Sequence, residues 1–224
     1  MEFYTSFSEK YDQIFPLNVK KLKLIDQTFE SLKAEKEDIR LLDVGCGTGS
    51  YAAALAEMGY EVVGIDLDPE MISLAKDKEN KDLDVEFEEM GMLDLKDNFS
   101  SASFDGIYII GNVLVHLSKE EIEEFLESTA ELLKENGRLF IQIVNYERIL
   151  ELGIYGLPAI YSEDGSLRFE RDYEYDKKQN LIYFKTKLIS ELESKILQEN
   201  EIPLYPLRRD ELNELLEESG FEQK

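Results

Sequence analysis

What most limits the folding of this chain is an alternation of short apolar runs with helical stretches, punctuated once by a glycine cluster. Ile39 to Val44 is an apolar run that ends at Gly45, Gly47 and Gly49. Ser50 to Met58, rich in Ala and Leu, follows as a helix that Gly59 stops. Glu61 to Asp66 reads as the second strand, and Asp68-Pro69 opens a helix that reaches about Ala75, with Asp as N-cap and Pro at the first helical position. Asp84 to Glu88 and Phe104 to Ile110 are the third and fourth strands. Ser118-Lys119-Glu120-Glu121 is a capping box whose helix is expected to close at Asn136-Gly137, before a fifth strand from Arg138 to Asn145. An amphipathic helix from Val19 to Glu30, with Leu22, Ile25 and Phe29 at helical spacing, precedes the series. Strand and helix in strict alternation predict an α/β fold, a parallel sheet with helices on both faces.

The pattern changes after Tyr146. Leu167, Phe169, Tyr173 and Tyr175 fall on alternate positions, as do Ile182, Phe184, Thr186 and Leu188, with DKKQN between them as a hairpin turn. Lys195 to Leu204 adds a third strand, and Arg208 to Ser219 returns to helix before Gly220. The expected organisation is therefore a core of residues 1–146 plus 207–224, with an antiparallel β lobe, 147–206, inserted as a lid, a substrate wall or a dimer surface. The tyrosines at 155, 161, 173, 175 and 183 line a pocket under the lobe or form its core, and core is the expectation for most of them.

Composition removes several classes of function. At 224 residues, 43% of them hydrophobic, the chain can build one full core with an inserted lobe. Its 25 Lys plus Arg stand against 49 Asp plus Glu, a formal charge of -24, and no helix gathers the basic residues. Such a surface repels a phosphate backbone, so nucleic acid is not an expected partner. One cysteine allows no intrachain disulfide, and one histidine no Cys/His zinc site. Both fit a reducing cytoplasm, as does an N-terminus with neither basic nor apolar region of a signal peptide. No run of eighteen apolar residues predicts a membrane span. The acidic runs, such as Glu120 to Glu124, read as solvated helix faces, and Asp94 and Asp105 as ordinary loop carboxylates, so no metal is expected.

The glycine loop carries the chemistry. In LLDVGCGTGS three glycines follow a strand and precede a helix, so backbone can approach a ligand closely and amides can point at it. A dinucleotide fingerprint needs glycine at the first, third and sixth positions; here the sixth is Ser50, which disfavours a nicotinamide oxidoreductase. Asp66 ends the next strand, where a carboxylate can accept two ribose hydroxyls. A turn that serves only tight strand-to-helix packing explains the glycines alone, but not their combination with Asp43 and Asp66. The expected ligand is nucleoside-like.

With these pieces in place the chain resembles the class I S-adenosylmethionine-dependent methyltransferases, through LLDVGCGTG, VVGIDLDPEMI, SFDGIYIIGNVLVHL and LLKENGRLFI, from about Ile39 to Asn145. The resemblance implies a Rossmann-like doubly wound sheet and S-adenosylmethionine as cofactor, with S-adenosylhomocysteine as product. It implies that Gly45, Cys46 and Gly47 meet the methionine part, with Cys46 a small filler rather than a nucleophile, and that Asp43 supports the loop. It further implies that Asp66 binds the ribose hydroxyls and that Leu67 and Met71 line the adenine. EEMGMLDLKD, GNVLVHLS and NYERILELGIYGLP resemble more closely the glycine N-methyltransferases and related small-molecule enzymes, which carry an antiparallel lobe after the same segment. By that likeness Asn112 and His116 face the substrate or the methyl-transfer centre, while Met92 sits at the adenine edge with Leu93 beside it.

Three departures accompany the likeness. The arginine that holds a glycine carboxylate in those enzymes is here Val144, so glycine would not be held that way. The acidic or amide residue that meets the adenine amine is Gly91, which leaves the backbone at Met92 to serve. The last helix is followed by no further strands before Lys224, which leaves a sheet edge open or completed by another chain, as in a homodimer.

Among the remaining candidates, His116 is either a core histidine bonded to a loop carbonyl or a base or substrate contact. Asn112 bonds a substrate amine or the methionine moiety, or caps its loop. In the aromatic segment FYTSFSEKYDQIF, Tyr4 and Tyr11 either pack on the core or cover the cofactor, and the YD pair favours Tyr11. A sulfonium methyl group is already activated, and an amine acceptor needs only to arrive unprotonated, whereas a hydroxyl needs a base. One histidine and no base dyad lean toward nitrogen on a small molecule. An O-methyltransferase and a non-catalytic S-adenosylmethionine-binding or interaction module are the alternatives. A nucleic-acid methyltransferase is disfavoured by charge and by GNVL in place of an NPPY-like tetrad.

Overall fold

A computed structural model describes residues 8–33, 35–80 and 82–222. Tyr4 lies outside them. Helix α1 (Ser8–Ile14) and helix α2 (Val19–Phe29) lead into β1 (Arg40–Val44), α3 (Ser50–Glu57), β2 (Glu61–Asp66), α4 (Pro69–Lys76) and β3 (Val85–Glu89). A four-residue turn of helix, α5 (Leu95–Asn98), precedes β4 (Phe104–Ile109); then come α6 (Lys119–Leu132), β5 (Leu133–Ile141) and α7 (Tyr146–Leu152). Four further strands, β6 (Gly156–Tyr161), β7 (Leu167–Asp176), β8 (Leu181–Ser190) and β9 (Lys195–Leu204), precede α8 (Arg209–Glu218).

Five strands form a parallel sheet in the order β3-β2-β1-β4-β5. Period-2 alternation separates its two faces. Leu41 and Val62 face α2, α3 and α4, packing with Ile25, Phe29, Leu55 and Ile72. Leu42, Val44, Val63 and Ile65 face the other way, with Ile122, Phe125 and Leu126 of α6. Strand order reverses between β1 and β4, so a crevice opens beyond their carboxyl ends, the usual ligand position in a doubly wound sheet.

Local signals placed several elements where the sequence predicts them. Asp68 caps α4 by accepting from the Glu70 and Met71 amides, and Ser118 and Glu121 bond each other's backbone in a complete capping box. The junction after α6 differs. The helix ends at Leu132, not at Asn136-Gly137, and β5 begins at Leu133. Pairing with β4 passes from Phe104↔Leu133 to Gly106↔Arg138, so Asn136 (φ +65°) and Gly137 form a bulge inside the strand. The cause lies across the sheet: Lys134 reaches the buried Asp105 carboxylate at 2.7 Å and holds that segment extended.

The antiparallel sheet has the order β6-β7-β8-β9. Its last three strands match the sequence expectation. The sequence reading omits β6, because Pro158 and an irregular register between Leu157 and Ile160 break its alternation. The sheet's inner face joins the main core through Tyr173, Ile182 and Leu204, and Leu167, Phe169 and Leu188 cover Ile14 of α1. The tyrosines do not form the lobe core as expected: Tyr173 is buried, but Tyr155, Tyr161 and Tyr175 are exposed and Tyr183 is half-buried. Alternation alone does not tell which face of an edge strand is covered. Among the described residues β5 pairs only with β4, and no helix is long and apolar enough to cross a membrane.

Candidate functional site: the crevice above the glycine loop

The loop after β1 is pinned from below. The amides of Gly45 and Cys46 both donate to the Ile65 carbonyl, at 2.8 and 2.9 Å, and the Gly49 amide closes a turn onto the Cys46 carbonyl at 3.0 Å. Gly45, Gly47 and Gly49 all have positive φ, but they do different work. A Cβ on Gly45 would lie 2.6 Å from Val113 Cγ1, and one on Gly49 would lie 2.5 Å from the Phe87 ring. Those two glycines are needed for packing. A Cβ on Gly47 would meet only the Tyr11 ring, at 3.9 Å, so the open space of the loop lies in front of Gly47.

Asp66 stands at the end of β2 beside that space. Its Oδ2 accepts the Gly47 amide at 2.8 Å and its Oδ1 the Asp68 amide at 3.0 Å. Burial raises its pKa, and the two backbone amides oppose the rise. Both oxygens keep lone pairs for further donors. Leu67, next along, is 52% exposed and is the apolar surface on this side of the crevice. Met71 is 1% exposed, so it supports the crevice from beneath and presents almost no surface to it.

Asp43 lies under the loop, fully buried on β1. Burial pushes its carboxyl up to about 8; the Tyr108 hydroxyl pulls it down and Asp66 adds to the rise. Tyr108 faces it in register on β4, yet neither Asp43 Oδ1 nor the Tyr108 hydroxyl has a hydrogen bond of acceptable geometry. This leaves an orphaned carboxylate oxygen beneath a glycine cradle. Burial also pushes the Cys46 thiol up, which keeps it neutral and a poor nucleophile.

Because the Asp43 pKa is raised on folding, its stabilising effect is complete below the unfolded carboxylate value, about 4, and is lost as pH rises through about 8. Asp43→Asn removes that titration. The variant is expected to show a flatter melting temperature between pH 5 and 9 than the parent chain, with the gap closing or reversing at the alkaline end. Parallel pH profiles from scanning calorimetry would refute the burial argument.

Met92 and Leu93 are half-buried against the core beside the end of β3. Asp94, which reads in the sequence as an ordinary loop carboxylate, belongs to this wall. Its Oδ2 accepts the Gly91 amide at 3.2 Å and stands 2.7 Å from where a Gly91 Cβ would be. A carboxylate is therefore present at the very place where residue 91 lacks one. The signal was a three-residue offset that only the turn after β3 converts into proximity.

On the opposite wall, Gly111 and Asn112 both have positive φ. Asn112 Oδ1 accepts the Val144 amide at 3.0 Å, and its Nδ2 donates to the Tyr146 hydroxyl at 2.7 Å. Gln142 Oε1 accepts the Gly111 amide at 3.2 Å. Asn112 thus clamps the loop after β4 to the chain leaving β5, and the same loop sets Val113 against Gly45. His116 is half-buried on the following 3-10 turn, and burial lowers its pKa, which favours neutral imidazole near pH 7.

Helix α1 forms the roof. Asp12 accepts from the Thr48 and Ser50 hydroxyls and pairs with Lys78 at 2.9 Å; Lys78 also donates to the Thr48 carbonyl and Ser50. On the other side Tyr11 packs on Phe15 at 5.1 Å, and Phe15 on Phe169 of the lobe at 5.3 Å. The fold therefore brings Asp43, Gly45, Cys46, Gly47, Asp66 and Tyr11 to one crevice. Among the described residues no group of three or more His, Cys, Asp or Glu could hold a metal ion.

Comparison with known proteins agrees with this architecture. Residues 41–137 match the family described as methyltransferase domain. A protein of Geobacillus sp. (strain WCH70) whose name assigns it to the methyltransferases is 40% identical over 106 residues, which is 46% of this chain and 42% of that protein. The glycine/sarcosine N-methyltransferase of Aphanothece halophytica is 26% identical over 224 residues, covering 99% of this chain and 80% of its own length. Coverage of relatives thus runs from under half to four-fifths of their length. The crystal structure of an S-adenosylmethionine-dependent methyltransferase from Clostridium acetobutylicum ATCC 824 superposes with a TM-score of 0.73 at 17% identity, covering 96% of this chain and 87% of that one.

Proposed function

The chain belongs to the class I S-adenosylmethionine-dependent methyltransferases, and from that premise we propose that it moves a methyl group to a nitrogen of a small-molecule acceptor. The observation that carries the cofactor part is the crevice itself. Gly47 is the loop glycine with open space before it, Asp66 offers spare lone pairs beside it, and Asp43 keeps an orphaned oxygen beneath. Those features fit a ligand with ribose hydroxyls at one end and an amino acid at the other.

In this reading Asp66 accepts the ribose hydroxyls, Leu67, Met92 and Leu93 border the adenine with Met71 behind them, and Asp94 takes the adenine amine in place of residue 91. The bound sulfonium supplies an activated methyl group. The protein's own work is to orient, enclose and exclude water. Tyr11 and α1 cover the glycine loop, and the Asp12–Lys78 pair keeps them there. Asn112, with its amide committed to Val144 and Tyr146, acts by positioning the loop after β4. His116, kept neutral by burial, can accept the proton that an amine loses after transfer.

The nitrogen acceptor is supported by the alignment with an N-methyltransferase over 99% of this chain and by the lack of a base dyad among the described residues of the crevice. We further read residues 147–206 as the lobe that walls the acceptor side, and the protein as cytoplasmic. The test is calorimetric titration with S-adenosylmethionine and S-adenosylhomocysteine, followed by a screen of primary amines and of hydroxyl compounds for S-adenosylhomocysteine release. Micromolar cofactor binding with turnover on amines is the expected result. Turnover on hydroxyls alone would reverse the choice of acceptor, and cofactor binding without turnover on either panel would make the chain a binding module.

A further inference from the structure

Of three adjacent rows on the inner face of the lobe sheet, one is polar throughout. Cross-strand partners in an antiparallel sheet share a face, and the register sets three rows side by side: Phe169 with Leu188 and Gln198, Arg171 with Thr186 and Asn200, and Tyr173 with Phe184 and Ile202. Phe169 and Leu188 pack under α1, while Tyr173 and Phe184 join the main core. The polar row therefore lies between the roof over the glycine loop and the body of the enzyme.

Arg171 is unusual for its surroundings. The chain carries 49 acidic residues, and on the outer face of the same strands Arg168 pairs with Glu170 and Glu191, Lys185 with Glu174 and Glu201, and Lys187 with Glu199. On the inner face Arg171 has no carboxylate within ion-pair distance among the described residues. Its Nη2 donates to the Pro158 carbonyl at 2.8 Å, which orients the guanidinium, and its Nε is buried without a partner. Burial lowers its pKa, and Tyr173 beside it opposes the shift. A half-buried charge of this kind is costly unless something pairs with it. Thr186 beside it is buried, and the Asn200 side chain, whose Oδ1 accepts the Glu201 amide at 2.8 Å, keeps its NH2 group for another acceptor.

We propose that Arg171, with Thr186 and Asn200, recognises an anionic group on the methyl acceptor, a carboxylate or a phosphate. A planar guanidinium with an unfilled donor edge suits a two-oxygen anion, and an amide and a hydroxyl in the same row supply further polar contacts. The proposal rests on the methyltransferase reading, in which the acceptor enters between the lobe and the glycine loop. The packed series Phe169, Phe15, Tyr11 and Gly47 connects the two.

The test uses the full chain saturated with S-adenosylhomocysteine and two matched probe pairs, glycine against methylamine and phosphoethanolamine against ethanolamine, followed by calorimetry or ligand-observed NMR. The expected result is that at least one anionic probe binds ten or more times tighter than its partner. Which pair shows the difference tells carboxylate from phosphate. Arg171→Gln should abolish the difference while leaving S-adenosylhomocysteine affinity within twofold, and Asn200→Ala should reduce it at least threefold. Asn200→Ala decides the matter alone if the arginine variant does not fold. Equal binding within both pairs, or a preference that survives these substitutions, overturns the proposal. Failure of the parent chain to bind S-adenosylhomocysteine is a separate result, which overturns the cofactor assignment instead.

Discussion

Asp66→Ala should weaken binding of S-adenosylmethionine and S-adenosylhomocysteine at least 100-fold, about 2.7 kcal/mol, in a protein that still folds. Two losses combine. In the proposed pose the ribose hydroxyls lose a charged acceptor, and hydrogen bonds to charged groups contribute roughly 1.5–3 kcal/mol each. The loop also loses its anchor, because the Gly47 and Asp68 amides both donate to this carboxylate. Stability should fall by about 1–2 kcal/mol, since those amides sit at the crevice edge and water can replace the lost acceptor. Titration calorimetry beside urea unfolding separates the two effects. An affinity within threefold of the parent would mean that the ribose, and with it the cofactor pose, lies elsewhere.

Gly49→Ala has its largest effect on folding. A positive φ costs a non-glycine residue about 1–2 kcal/mol, and here φ is +73°. The new methyl would also lie 2.5 Å from Phe87 Cζ and 2.9 Å from Ala75 Cβ. Both neighbours belong to the buried core between α3, α4 and the sheet, so neither has room to move. Overpacking of that kind costs about 1–3 kcal/mol. The sum, roughly 2–5 kcal/mol, is a large part of a typical domain's stability of about 5–15 kcal/mol. The melting temperature should drop by about 4–20 °C. Gly47→Ala makes the control, because its methyl would point into open space; it should lose ligand affinity with less than half that loss of stability. Melting of Gly49→Ala within 2 °C of the parent would show that its glycine serves the ligand rather than the packing.

These two positions show why the site was only partly legible beforehand. GxGxG after an apolar strand announces a ligand loop, and Asp66 follows at the right element. Nothing in the spacing says which glycine faces the ligand and which meets Phe87 or Val113. Asn112 was readable as a substrate residue from its loop, but the fold spends both ends of its amide on Val144 and Tyr146. Met71 was readable as an adenine contact, and the fold buries it. Asp94 reads as a loop carboxylate, and only the turn after β3 brings it to Gly91. Each of these depended on contacts between residues distant in sequence or folded back by a turn.

The sequence by itself determined the alternating elements, the caps at Asp68 and Ser118, the glycine loop with its acidic partner, and three of the four lobe strands. Those features arise from interactions within a few residues: hydrophobic period, N-cap hydrogen bonds and the backbone freedom of glycine. The tertiary structure alone decided the bulge at Asn136-Gly137, the strand containing Pro158, the clamp at Asn112, the cover of α1 through Asp12 and Lys78, and the unpaired Arg171 on an inner face. Those features depend on which groups burial removes from water and which partners it then leaves within reach, and that is set only when the sheet, the lobe and α1 close on one another.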